Sequence, residues 1–424
     1  MECIHKDLGS YQYHFIPTKE FKTITLRVVF HTPIVKEDIT KRLVLSDILF
    51  QSSNKYRSKR ELTIQAEELY AADISIHLQR VGNYLFTNFN LQVLEDQYTE
   101  EGNLEKSFAF LQEILFSPDV KKSSFSKEKL DIVKNKVRVN IDSMKEDAKG
   151  YSLLRLMENY DKESPISYRM IGYLEDLEKI DGENLYETYQ KMIQHDYVDI
   201  FVIGDFDSQE MLEKVKKYFH FPTVKKRKKP YALSNKKIRK RKLYAKETIS
   251  NSQSKLGIVC PLSKMSDYEK NYSMVLANLI LGGGTDSKLF QNVREKNSLC
   301  YTIYSNYQKL DQALVISAGI DRVNYKKTVE LIQKNIGMMK KGKITNQEMQ
   351  MAKEFYLSSL ESVYESQNSM IHECMAESIL GLDPIDQRRE IMKNVKKGDI
   401  VKASKKIHMD TIFLLEGIGH EEEV

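Results

Sequence analysis

No run of apolar residues in this 424-residue chain approaches the roughly 20 that a helix needs to cross a bilayer, so no membrane span is expected. The opening stretch MECIHKDLGSYQYHF lacks a basic segment followed by an apolar core and does not read as a signal peptide. The four cysteines, Cys3, Cys260, Cys300 and Cys374, stand far apart with no C-x-x-C pair. That spacing argues against a disulfide framework and against a zinc ribbon, and a reducing cytoplasm is the compartment it predicts. No two of the nine histidines lie closer than nine residues apart, so no H-x-x-x-H pair exists. Phosphate-loop spacing is missing too. The stretch LGGGTDSKLFQNVREKNSLCYTIYS, Leu281 to Ser305, has Ser287 before Lys288 and Leu289 after it, which fits neither a Walker loop nor a dinucleotide fingerprint.

What is present is an ordinary globular composition, 41% apolar and 29% charged, long enough for two domains. The net charge of +5 is local in origin. The segment Lys225 to Lys242 holds 11 basic residues and no acidic ones, and without it 54 basic residues would face 60 acidic ones. With no aromatic platform or lipid-anchoring stretch beside it, the block reads as a solvated linker at 224–243 and not as a nucleic-acid or membrane surface.

Comparable patterns lie on each side of that block. In the first half, Thr23 to Ile34 alternates as a strand should, and Ile39, Leu43, Ile48 and Leu49 follow at helical spacing. Ser58 and Glu61 read as a capping box opening a helix through Tyr70. Ile74, Ile76 and Leu78, then Phe89, Leu91 and Val93, alternate on either side of Gly82-Asn83, which predicts a hairpin. The second half repeats the theme with a strand at KLGIVC and with Ser266 and Glu269 capping a helix to Leu281. Each half closes on a buried-strand run after a helix, Val198 to Phe206 and Asp410 to Gly419. The pattern predicts an α+β fold made of two duplicated domains, 1–223 and 244–424.

The stretch from Gly282 to Ser305 resembles the insulinase/pitrilysin family of zinc metallopeptidases. Their second domain carries a glycine run, a helix reading roughly SRLFQEVREK and then GLAYSVYS. Fainter similarity runs over nearly the whole chain, and FIPTKEFKTITLRVVF and EELYAADI are similar to the bacterial peptidase-like proteins associated with elongation factor P modification. The resemblance implies paired domains forming one half-shell of a clamshell around a peptide. It also places the family's zinc motif, an inverted H-x-x-E-H, on the first helix of the first domain. There Leu43 and Asp47 fall at the histidines and Ser46 at the glutamate, with the third ligand position near Asn140. Leucine binds no metal and serine cannot act as the carboxylate base. No metal is expected in this chain, and zinc is expected in a partner.

The same resemblance matches Arg294 and Tyr301 to a pair that reaches substrate in catalytic members, where a guanidinium and a phenol O–H can donate to an oxyanion. Without it, the two would read as a helix-end charge and a strand core residue. Gly282, Gly283 and Gly284 are expected to let a peptide slide close, although Gly282 alone would read as a left-handed helix cap. Cys300 has its nearest histidine 72 residues on, at His372, and is not expected to be a nucleophile. The implied function is a non-catalytic subunit of a heterodimeric zinc peptidase. It is inactive alone, pairs with a homologous zinc-bearing chain, and handles peptide or unfolded polypeptide. The alternatives are a structural scaffold derived from a peptidase, or a hydrolase of another mechanism, for which no nucleophile–base set is readable.

Overall fold

The computed structural model describes residues 2–222 and 238–419. They form two compact units, and neither is a continuous piece of chain. The first takes residues up to 142, then 169–222 and 363–381. The second takes 143–168, 238–362 and 382–419. The expected boundaries at 1–223 and 244–424 therefore miss two segments that pack with the opposite half. Most of the basic linker expected at 224–243 lies outside the described residues.

The first unit contains β1 (Ile4–Asp7), β2 (Gln12–Pro17), β3 (Thr23–Pro33), β4 (Asp73–Val81), β5 (Tyr84–Leu94), a two-residue pair β6 (Val120–Lys121) and β7 (Ser124–Phe125), and β8 (Tyr197–Gly204). Its main sheet runs β1-β2-β8-β3-β5-β4. Every neighbour in it is antiparallel except β2 and β8. The predicted hairpin is β4–β5, with Val81 opposite Tyr84 and a positive φ of 61° at Gly82, where a tight two-residue turn favours glycine.

The second unit contains β9 (Leu243–Ile249), β10 (Ser254–Pro261), β11 (Cys300–Gln308), β12 (Ala313–Ile320) and β13 (Thr411–Gly417). Its sheet runs β11-β12-β10-β13-β9, antiparallel except for β13 and β9. Read from the hairpin inward, the two sheets have the same order of strand orientations. The closing strands of the two halves, β8 and β13, hold corresponding places.

Local signals explain the helix starts. The Ser58 side chain accepts from the Glu61 N–H at the head of the Lys59–Glu68 helix. Ser266 and Glu269 exchange reciprocal bonds, Ser266 N–H to Glu269 Oε2 at 2.8 Å and Glu269 N–H to Ser266 Oγ at 3.2 Å, as a capping box requires.

The central strands of each sheet are buried on both faces, which is where the exchanged segments act. Strand β3 puts Ile24, Leu26, Val28 and Phe30 into the first unit's main core. Its other face meets the Gln367–Ser378 helix, whose Met370, Ile371, Cys374 and Met375 pack with Ile16, Val29, Phe86 and Phe201. Thr25 and Arg27 stand on that face because the helix supplies polar partners. Thr25 Oγ1 donates to Gln367 Oε1 at 2.6 Å, and Arg27 Nη2 donates to Asn368 Oδ1 at 2.6 Å.

In the second unit the Ala148–Asp161 helix plays the corresponding part, with Leu156 and Tyr160 among Val259, Val315, Phe413 and Leu415. Gly257 permits its approach, since a Cβ there would come within 2.8 Å of Leu156 Cδ2.

The exchange also corrects the reading of the cysteines. Cys3 and Cys374, 371 residues apart in sequence, are joined by a disulfide with Cα atoms 6.3 Å apart. The spacing argues against a disulfide framework, but the Gln367–Ser378 helix returns to the first sheet and brings Cys374 next to the N-terminal strand, where one disulfide forms.

Candidate functional site

The helix resembling the peptidase zinc helix is Lys36–Ile48, and Lys127–Asp142 carries Asn140. Leu43 is half-buried and packs against the first unit's core. Ser46 Oγ donates back to the Arg42 carbonyl at 2.9 Å, so its hydroxyl is committed to its own helix. Asp47 forms an ion pair with Lys136 at 2.8 Å, one helical turn before Asn140 on the second helix. An aliphatic side chain, a back-bonded hydroxyl and a carboxylate facing an ammonium do not make a donor set for a zinc ion.

Arg294 and Tyr301 are brought together. They line one open cleft of about 360 Å³ with Glu295, Ser298, Leu299, Cys300 and Asp321. Two local irregularities place them. Arg294 lies in a π-helical turn, Phe290–Glu295, closed by the Lys296 N–H donating to Gln291 O at 3.0 Å. Such widened turns recur at functional sites. Its guanidinium lies 4.6 Å from the Phe290 ring centre, and Nε is 3.7 Å from Glu295 Oε1.

Tyr301 is the extra residue of a β-bulge. Cys300 pairs with Ile320 and Thr302 with Gly319, so the residue between them has no partner across the edge strand. A bulge re-aims a side chain, and Tyr301 is 59% exposed. It is therefore not the strand core residue that its position alone suggests. Its hydroxyl donates to Asp321 Oδ1 at 3.4 Å.

The glycine run lies elsewhere in the second unit. Gly283 and Gly284 line a separate cleft of about 400 Å³ with Thr285, Glu348, Met351 and Phe355. None of the three has a positive φ, and Gly283 caps the Met274–Gly282 helix at φ −83°. The left-handed cap expected at Gly282 is thus replaced by a steric requirement, for a Cβ there would meet Ser305 N and Oγ at 2.7 Å. Gly284 has nothing within 4 Å of a Cβ. Cys300 is buried, and burial pushes its thiol up to about 11 against the opposing pull of Arg294. That is the reverse of what a nucleophile needs.

Sequence spacing missed a polar chain inside the first sheet. His14 Nε2 and His31 Nε2 each lie 2.7 Å from a different oxygen of Asp199, all three side chains being buried. Burial would raise the Asp199 carboxyl, but the two imidazole bonds outweigh it and hold it far below its usual range. His5 Nδ1 meets His14 Nδ1 at 2.7 Å, and Cys3 Sγ lies 3.7 Å from His5 Nδ1. A search for histidines four apart cannot find residues on adjacent strands.

The helix that resembles the peptidase zinc helix offers no metal donor set, and Arg294 and Tyr301 share one cleft in the second unit. Comparison with known proteins agrees. Residues 179–356 match the family model described as peptidase M16 inactive domain. The chain is 29% identical over 418 residues to the probable inactive metalloprotease YmfF of Bacillus subtilis, covering 96% of each chain. Among solved structures, a conserved protein from Enterococcus faecalis V583 matches at 26% identity and a TM-score of 0.90, covering 99% of this chain and 100% of that one. A peptidase M16 inactive domain from Pseudomonas fluorescens shares the fold at a TM-score of 0.78 with 16% identity, covering 98% of both chains. Residues 179–356 thus resemble the peptidase M16 inactive domain, and over nearly its whole length the chain is similar to a probable inactive metalloprotease.

Proposed function

We propose that the chain is the non-catalytic subunit of a two-chain zinc peptidase. In this reading its two units are a duplicated pair forming one half-shell of a peptide chamber, and a homologous partner with intact H-x-x-E-H supplies the metal. The observation that carries the reading is the contrast between the two units. The zinc helix has been rebuilt into an apolar contact, a back-bonded serine and an ion pair, whereas Arg294 and Tyr301 stand exposed in one cleft on a π-turn and a bulge. A discarded site would not need the Tyr301 side chain in solvent. There the phenol O–H and the guanidinium N–H groups would donate to the oxyanion formed when water attacks a peptide carbonyl held at the partner's metal. The open glycine cleft would receive a further part of the peptide.

A purely structural role has one observation in its favour. Tyr301 and Arg294 already have partners within the chain, Asp321 and Phe290. Co-expression with a homologue bearing H-x-x-E-H, light scattering, and peptidase assays of each chain alone and together separate the readings. The subunit reading expects a complex of about twice the chain mass, cleaving only when both chains are present. A monomer beside such a homologue, or a pair as active as the homologue alone, would contradict it.

A further inference from the structure

Around the N-terminal strand of the first unit, four metal-ligating side chains from three separate segments converge. One ligand atom from each of Cys3, His5 and Cys374 lies within 4.8 Å of the others. His14 joins them through the 2.7 Å approach of its Nδ1 to His5 Nδ1. We propose that, with both cysteines reduced, Cys3, Cys374, His5 and His14 form a binding site for a thiophilic divalent cation of the zinc class.

Donor type supports this, because two thiolates and two imidazoles are the ligand set of closed tetrahedral zinc sites. Distance supports it as well. Ligands about 2.0–2.3 Å from a tetrahedral ion lie roughly 3.3–3.8 Å from one another, and the Cys3 Sγ to His5 Nδ1 separation is 3.7 Å. To admit the ion, the two imidazole nitrogens must part by about half an ångström, and reduction must let the two sulfurs of the disulfide move apart to about 3.8 Å.

The third support is the outer partner of His14. Asp199, fully buried, accepts a hydrogen bond from His14 Nε2 at 2.7 Å. A carboxylate accepts only, so Nε2 carries the proton of this bond, and Nδ1, toward His5, is the nitrogen left to ligate. A carboxylate behind an imidazole fixes its tautomer and orientation and raises its basicity as a ligand. Asp199 is held in turn by His31 Nε2 at 2.7 Å on its second oxygen.

The site is distinct from the altered zinc helix and would not be catalytic, since its four ligands leave no open position. It would fasten the Gln367–Ser378 helix to the first sheet, as the disulfide does when the sulfurs are oxidised. The two fastenings exclude each other, because both need the same sulfurs. With a small disulfide as oxidant, the Cys3 thiolate attacks one sulfur and expels a thiolate. The Cys374 thiolate then attacks Cys3 sulfur in the mixed disulfide and expels the second. Two electrons end on the two small thiolates, and the cation leaves.

The test is Co2+ titration of the full chain after phosphine reduction. The proposal expects one Co2+ per chain, with thiolate-to-cobalt charge-transfer absorption and the visible bands of tetrahedral cobalt. Added oxidised glutathione should remove both signals together with two free thiols. Cys3→Ser and His5→Gln alter residues at or near the surface and should weaken binding at least tenfold while the far-ultraviolet circular dichroism is unchanged. Asp199→Asn reports on positioning, with an expected 10–100-fold loss of affinity. Reduced protein that takes up no Co2+, or Cys3→Ser protein giving the wild-type spectrum, would overturn the proposal. So would retention of the metal after the thiols are oxidised.

Discussion

Lys136 Nζ donates to Asp47 Oδ1 at 2.8 Å, so the carboxylate that the resemblance sets at a zinc-histidine position is occupied by an ammonium from the neighbouring helix. The pair is solvent-accessible, with Lys136 60% and Asp47 25% exposed at the side chain. Its replacement should cost little, about 0–1 kcal/mol for an ion pair of this kind. Asp47→Asn is expected to shift stability within that range in urea titration and to leave metal content unchanged. Loss of one bound zinc per chain in the variant would place a metal on this helix.

The glycine run should divide sharply under alanine substitution. Gly282→Ala pushes a Cβ to 2.7 Å from the Ser305 backbone nitrogen, and overpacking of this kind costs about 1–3 kcal/mol. Gly284→Ala meets nothing within 4 Å and should stay within about 0.5 kcal/mol. Equal losses in thermal unfolding would show that the packing at Gly282 is not what requires a glycine there.

Gln367 is the polar anchor of the exchanged helix in the first unit. Its Oε1 accepts from Thr25 at 2.6 Å, Gln92 at 3.0 Å and Thr23 at 3.1 Å, and its Nε2 donates to the Thr23 carbonyl at 2.6 Å. Gln367→Ala strands buried partners and is expected to cost about 1–3 kcal/mol, measured by urea denaturation. A loss below about 0.5 kcal/mol, the range of substitutions that break no such feature, would mean that apolar packing alone seats the helix.

The elements were legible where the signal is local, and the connections between distant ones were not. Alternation at Thr23 to Ile34, the Gly82-Asn83 turn and the Ser58 and Ser266 caps each depend on neighbours a few residues away, and each appears where the pattern places it. Besides neighbours on the adjacent strand, Thr25 and Arg27 have partners more than 300 residues on, at Gln367 and Asn368. Read locally, the two look like the solvent side of a strand, and no periodicity records the covering helix. Cys3 and Cys374 were misread for the same reason. The motif around Arg294 and Tyr301 is what singles them out, and the two line one cleft. The π-turn and the bulge that aim them come from hydrogen-bond register, which composition does not encode.

Glu269 carries a pH signature. Burial would raise its carboxyl, but Lys406 at 2.7 Å and the Ser266 backbone and hydroxyl donors outweigh it and hold it at about 2. A carboxylate depressed on folding contributes stability that is present above its unfolded value of about 4.5 and is lost as pH falls toward 2. With solvent screening, about 1–2 kcal/mol is expected. Glu269→Gln should lower stability by that amount at neutral pH and flatten the decline between about pH 4.5 and 2. A variant whose pH profile parallels the wild type would assign the decline to other groups.

The central claim is that this chain completes a partner's site, and turnover by the assembled pair tests it most directly. Tyr301→Phe deletes only the O–H and keeps the ring, and Arg294→Ala removes the guanidinium. Each should assemble normally by light scattering. Each should lower kcat on the order of 10²–10³-fold, with a smaller change in KM, as loss of an oxyanion donor does. Assembled pairs carrying either variant that cleave peptide at the wild-type rate would contradict the account and leave this chain a scaffold.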